Sequence, residues 1–214
     1  AWRRVASRTP GAWLAEAARI GLRASLEVVL AAVALDHLHA LPDGLRMSIN
    51  VSPTLVDSGR LGEALYGRPL DKVILEITEH APVEDYAALR RTLAPWRERG
   101  ALLAVDDAGG GYASLNHVLE LEPDLMKIDI ALVRNIHVDA PRRAMARSLV
   151  RYAEEVGMVT VAEGIEHEAE LEALVSIGVR AGQGFHLGRP KPLTEQEDLL
   201  QALDIPLIGA RSAR

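Results

Sequence analysis

Apolar and polar positions along this chain follow two alternating rhythms. Short apolar runs at 46–51, 73–78, 102–106, 125–129, 159–163 and 181–185 have the length and β-branched content of buried strands. Between them, apolar residues recur at helical spacing over 82–99, 112–120, 141–156 and 168–177, with a last helix over 195–203. Two helices precede the first strand. One spans 9–21, with Thr9 as cap, Pro10 in the first turn and Gly21 at the end. The other spans 22–41, should face the core through Leu26, Val29, Leu30, Val33 and Leu38, and stops at Pro42-Asp43-Gly44. Strand and helix alternating so regularly predict a parallel sheet of βα units, open or closed into a barrel. No linker or low-complexity run divides the chain, so residues 1–214 read as a single domain.

The strands share a feature at one end. Asn50, Glu76, Asp106, Lys127, Glu163 and Gln183 each stand at or near a strand's carboxyl end, the edge where parallel β/α proteins bind ligands. One such residue is ordinarily a satisfied structural group, but six from six strands would each need a separate partner. The densest stretch is Asp106-Asp107-Ala108-Gly109-Gly110-Gly111. A regular pleat would send Asp106 and Asp107 to opposite faces, whereas a sharp turn at the glycines would bring both to one pocket. A plainer reading makes Asp107 the start of an Asx turn capping the next helix.

Composition narrows the chemistry. The 214 residues are 49% hydrophobic and include no cysteine, which excludes disulfides and thiolate metal sites. The oxygen donors Asn50, Glu76, Asp106, Asp107 and Glu163 suit Mg²⁺ or Mn²⁺ rather than zinc. A net charge of −6 argues against duplex nucleic acid as a partner. No apolar stretch reaches the roughly 20 residues of a membrane span, and no signal pattern opens the chain, so a cytoplasmic domain is expected. Only three of the 24 basic residues are lysines, and Lys127 lies inside an apolar strand.

Taken in series, Asn50-Val51-Ser52, Glu76-Ile77-Thr78-Glu79, Asp106-Asp107 through Leu115, Lys127-Ile128-Asp129, Ala162-Glu163-Gly164-Ile165-Glu166 and Gln183-Gly184-Phe185 resemble the EAL domain, the phosphodiesterase family that opens cyclic di-GMP. The resemblance runs from Thr9 to about Leu203 and implies a TIM-type (β/α) barrel with the active site at its carboxyl-terminal mouth. It implies two-metal hydrolysis to the linear dinucleotide pGpG, with Asn50, Glu76, Asp106, Asp107 and Glu163 at the cations. Lys127 would orient the attacking water and neutralise charge, Glu163 would help take its proton, and Gln183, Asp129 and Glu166 would complete the ligand network. Glu79 and the loop of Ala108, Gly109, Gly110 and Gly111 match the family segment that couples metal occupancy to dimer contacts, so a homodimer through that loop is expected.

Three departures qualify the resemblance. No strand carrying Glu-Ala-Leu and its nearby arginine is recognisable, and only six of the family's eight strands can be counted, which leaves the first two missing or not recognisable. Phe and Thr of the family loop are replaced by Ala108 and Gly110, which adds backbone freedom. Six strands would also leave two sheet edges, so the isolated chain is expected to associate or exchange strands, and to hydrolyse weakly until an upstream Glu-Ala-Leu-x-Arg segment is supplied. The readings open at this point are an active phosphodiesterase, a domain that binds cyclic di-GMP or a protein without hydrolysis, and a barrel enzyme using Lys127 as a Schiff-base nucleophile. The last conflicts with the many carboxylates that should keep Lys127 protonated.

Overall fold

Capping side chains fix where most of the helices begin. The computed structural model describes residues 9–77, 83–109 and 112–191. Thr9 accepts from the Ala12 N–H at the start of α1 (Pro10–Arg19), and α2 (Arg23–Leu35) follows. Ser52 caps α3 (Pro53–Asp57), Asp85 caps α5 (Tyr86–Glu98) and Asp139 caps α8 (Ala140–Val156), each accepting a backbone N–H two or three residues into its helix. The remaining helices of the described residues are α4 (Arg60–Leu65), α6 (Tyr112–Leu121), α7 (Ile130–Val133) and α9 (Glu168–Ser176). Helices α3, α4 and α7 lie in stretches where the hydrophobic pattern predicts none. The expected helix over 195–203 lies outside the described residues, as do Thr78, Glu79, Gly110 and Gly111.

Among the described residues six parallel strands run in sequential order: β1 (Met47–Val51), β2 (Val73–Ile77), β3 (Leu102–Ala108), β4 (Leu125–Ile128), β5 (Val159–Ala162) and β6 (Ala181–Gly182). Among the described residues β1 pairs with β2 alone and β6 with β5 alone. The register sorts the side chains onto two faces. Ile49, Val51, Leu75, Ile77, Leu103, Val105 and Met126 point under the helices into the main core. On the other face Ile74, Leu102, Ala104, Leu125, Val159 and Val161 form a smaller apolar layer. The polar strand-end residues stand above that layer, so the sheet has a greasy floor and a charged mouth. Leu75 is 1% exposed in the main core. Leu75→Ala should cost about 3 kcal/mol, read as a lower urea midpoint at unchanged slope.

Two expectations need correction. The core-facing stripe of α2 is rotated from the predicted one: Val29, Leu30 and Val33 are 47–56% exposed, and the buried line is Glu27, Ala31 and Leu35, with Leu38 in a short 3₁₀ turn beyond. The cause is polar. Glu27 is held inward by Ser52 Oγ and by Arg23 Nε at 2.8 Å, and the small Ala31 lets the helix approach. The last strand is also shorter than 181–185. Gly184 lies against the backbone of Ile165, where a Cβ would overlap it, and residues 183–188 fold into a turn. That leaves only two residues paired at this edge.

Candidate metal centre

The central lysine is set by β4. Lys127 follows Leu125 by two residues on the floor-facing side, so its stem rises from apolar packing and its ammonium reaches the mouth. The side chain is only 8% exposed. Its Nζ donates to Glu76 Oε2 at 3.0 Å, contacts Glu163 Oε1, and lies 2.9 Å from Asp106 Oδ1. Burial works most strongly against the charge. The attraction of Glu76 and the contacts with Glu163 and Asp106 together outweigh it and hold the ammonium well above its ordinary pKa.

The acids arrive by different routes. Glu76 sits level with Asn50 across the β1–β2 register and also accepts from Ser48 Oγ. Asp106 ends the regular part of β3. The register then slips between Val105 and Ala108, and Asp107 takes a left-handed backbone with φ +53°. The bulge re-aims the second aspartate, so Asp106 and Asp107 face the same pocket. The turn thus begins at Asp107 itself, two residues before the first of the glycines that were expected to make it.

Glu163 follows β5. One carboxylate oxygen from each of Asp106, Asp107 and Glu163 lies within 4.8 Å of the others. Burial, reinforced by Asp106 and Asp107 and opposed by Lys127, raises the Glu163 pKa to about 7. Gln183 Nε2 donates to Glu163 Oε1 at 2.8 Å. A cavity of about 800 Å³ opens beside Gln183, lined by Phe185, Arg189 and Lys191, with the Arg189 guanidinium 4.5 Å over the Phe185 ring.

The donor set fits a hard divalent cation. All three donors are carboxylates, and the buried Asp106 Oδ1 has no hydrogen bond. It is close enough to Lys127 for charge attraction but off a hydrogen-bonding angle, so a lone pair is left for a ligand. Glu76, Asp106, Asp107, Lys127, Glu163 and Gln183 thus come together as the strand ends suggested, with Asn50 at their margin. Asp129 and Glu166 do not join them. Asp129 caps α7, and Glu166 pairs with Arg134, which holds its carboxyl below the usual range. Ala108 is buried in the main core, and Gly109 follows in a left-handed turn. Ser48 and Glu170 were not foreseen. Ser48 could have been, since it lies two residues before Asn50 on the same face. Glu170 is three residues after His167, the helix-start spacing of a capping box.

Comparison with known proteins gives the family. The EAL domain model matches residues 2–190, beginning before and ending short of the stretch 9–203 that carries the resemblance. Cyclic di-GMP phosphodiesterase PdeF of Escherichia coli (strain K12) is 31% identical over 196 residues, covering 87% of this chain and 26% of PdeF. Klebsiella pneumoniae BlrP1, in a manganese/cy-diGMP complex at pH 9.0, is 32% identical with a TM-score of 0.68, covering 78% of this chain and 45% of that one. An EAL domain protein from Listeria monocytogenes EGD-e reaches a TM-score of 0.78 at 21% identity, over 91% of this chain and 80% of that one, a likeness of fold alone. The chain spans about a quarter of the length of the curated relatives it matches. No helix among the described residues is long and apolar enough to cross a membrane. The chain belongs to the EAL domain family and has its TIM-type fold.

Proposed function

We propose that this chain is a divalent-metal-dependent phosphodiesterase that hydrolyses cyclic di-GMP to linear pGpG in cytoplasmic second-messenger signalling. The observation that carries the reading is the convergence of Asp106, Asp107 and Glu163 within 4.8 Å beside a buried, charged lysine. The BlrP1 complex, which holds manganese and cy-diGMP, supports it by likeness.

Asp106, Asp107 and Glu163 would hold Mg²⁺ or Mn²⁺, with Asn50 and Glu76 at the second position. When bound, the cations supply Lewis acidity at the phosphate and make water more acidic. The chain's own groups do the rest. Glu163, beside the cations, would take the proton of the attacking water. The water oxygen would bond to phosphorus as the bond to the ribose 3′ oxygen breaks; that oxygen takes a proton from solvent as it leaves, and Glu163 returns its own to solvent. Lys127, held charged, offsets the negative charge that builds on the phosphate. Gln183 keeps Glu163 oriented, and the cavity at Phe185 and Arg189 receives part of the dinucleotide. A homodimer through the loop after Asp107 belongs to the same reading, and light scattering with and without cyclic di-GMP tests it.

The metal reading has a direct pH test. Cations bind the ionised carboxylate, and Glu163 ionises only above about pH 7. Protons therefore compete with the cation on the acid side. Mn²⁺ affinity, measured by titration calorimetry, should be flat above pH 8 and fall by up to about tenfold per unit below 7. Affinity independent of pH between 5 and 8 would remove Glu163 from the ligand set.

A further inference from the structure

Behind the mouth lies a carboxylate that the family-like motifs pass over. Glu170, in the first turn of α9, is 0% exposed. Its Oε2 accepts from the N–H groups of Glu166 at 2.9 Å and His167 at 3.3 Å, both in the segment that leads from Glu163 into α9. Its Oε1 accepts from the Asn135 N–H at 2.9 Å. Asn135 belongs to the connection beyond β4 and α7, and is held in a left-handed backbone with φ +59°.

Capping α9 would require only the first of these two reaches. The second extends 35 residues back along the chain, to the segment that follows the strand of Lys127. The same two segments meet twice more. Arg134 grips Glu166 with both guanidinium arms, one at 2.7 Å. Gly164, at φ +67°, presses so closely on Ile130 that a Cβ would overlap its side chain. Glu163 stands just ahead of these ties, its own N–H donating to Ile128 O at 3.2 Å. Small rotations of this segment would swing its carboxylate away from Asp106 and Asp107.

We propose that Glu170 is a positioning residue: it locks the Glu163-bearing segment to the connection beyond Lys127 and so sets where the Glu163 carboxylate stands. The proposal rests on the reading of the mouth as a divalent-cation site. It touches neither cation nor nucleotide and acts through the backbone it holds.

The test uses the full chain as wild type, Glu170→Gln and Glu170→Ala. Mn²⁺ affinity is measured by calorimetry well below each melting point, and exchange of the Glu163 amide is followed by NMR. Glu170→Ala should weaken Mn²⁺ binding by about 10–100-fold, the usual cost of losing an outer-shell partner. Glu170→Gln should fall between, because its amide oxygen still accepts on one side while its NH₂ cannot receive the Asn135 N–H. Glu163 amide exchange should quicken in both variants. A lowered melting point with Mn²⁺ affinity and Glu163 exchange both within twofold of wild type would show a purely structural cap and overturn the proposal. Should Glu170→Ala fail to fold, Glu170→Gln decides. Should wild type bind no Mn²⁺, the metal reading fails, and the exchange measurement still decides the positioning claim.

Discussion

Lys127→Met should destabilise the metal-free protein by about 3–5 kcal/mol, the effect of leaving buried charges without their partner. Three carboxylates converge on that ammonium, and the groups are 8–18% exposed, so water can replace little of the lost cation. Methionine keeps the stem's apolar contacts with the floor, so the loss measures charge rather than volume. Millimolar Mn²⁺ should restore much of the stability, because a divalent cation can take over part of the charge that Lys127 balanced. Urea unfolding with and without Mn²⁺ reads both effects. A loss under 1 kcal/mol would mean that the acids are solvated well enough to need no lysine. The same position separates binding from chemistry: in the chain joined to a strand bearing Glu-Ala-Leu-x-Arg, Lys127→Ala should abolish turnover while cyclic di-GMP binding stays measurable, because the charge acts mainly at the transition state. The ammonium also bears on the Schiff-base alternative. Held protonated, it is a poor nucleophile, and a borohydride-trapped adduct at Lys127 would be needed to revive that reading.

The second large effect is expected at Asp106. Mg²⁺ or Mn²⁺ at a hundredfold excess over its dissociation constant adds about 2.7 kcal/mol to the wild-type protein. For a chain of this size that is a rise of roughly 5–10 °C in melting temperature. Asp106→Asn removes a buried anionic donor whose Oδ1 has no hydrogen bond, and should abolish most of the rise. It also removes one of the repelling charges, so the metal-free variant should melt no lower than wild type by more than a few degrees. An unchanged wild-type melt in millimolar Mg²⁺ and Mn²⁺ would show that the acid cluster is not a cation site.

Much of the site was legible because each apolar run ends on a polar residue that has no apolar reason to be there. Glu76, Asp106, Lys127, Glu163 and Gln183 were found that way, and the parallel sheet of βα units followed from the regular alternation with helices. What escaped is what period counting cannot see. Asp107 joins Asp106 through a bulge, a backbone choice that the alternation of strand faces argues against. The buried line of α2 is set by Glu27 and its distant partner Ser52, which outweighs the more obvious Val29, Leu30 and Val33. Glu170 owes its importance to Asn135, a contact fixed only once two loops are folded together. The motif residues Asp129 and Glu166 were legible as residues but not as partners: one caps a helix and the other grips Arg134.

The central claim is that the acids around Lys127 hold the cations that open cyclic di-GMP. Its most direct measurement is nucleotide chromatography of cyclic di-GMP incubated with Mn²⁺ and the chain joined at its amino end to a strand bearing Glu-Ala-Leu-x-Arg. Linear pGpG should appear with that protein and not with its Asp106→Asn variant, while the 214-residue chain alone should give little. Cyclic di-GMP left intact by an extended protein that binds both Mn²⁺ and the nucleotide would contradict the claim and leave a binding domain in its place.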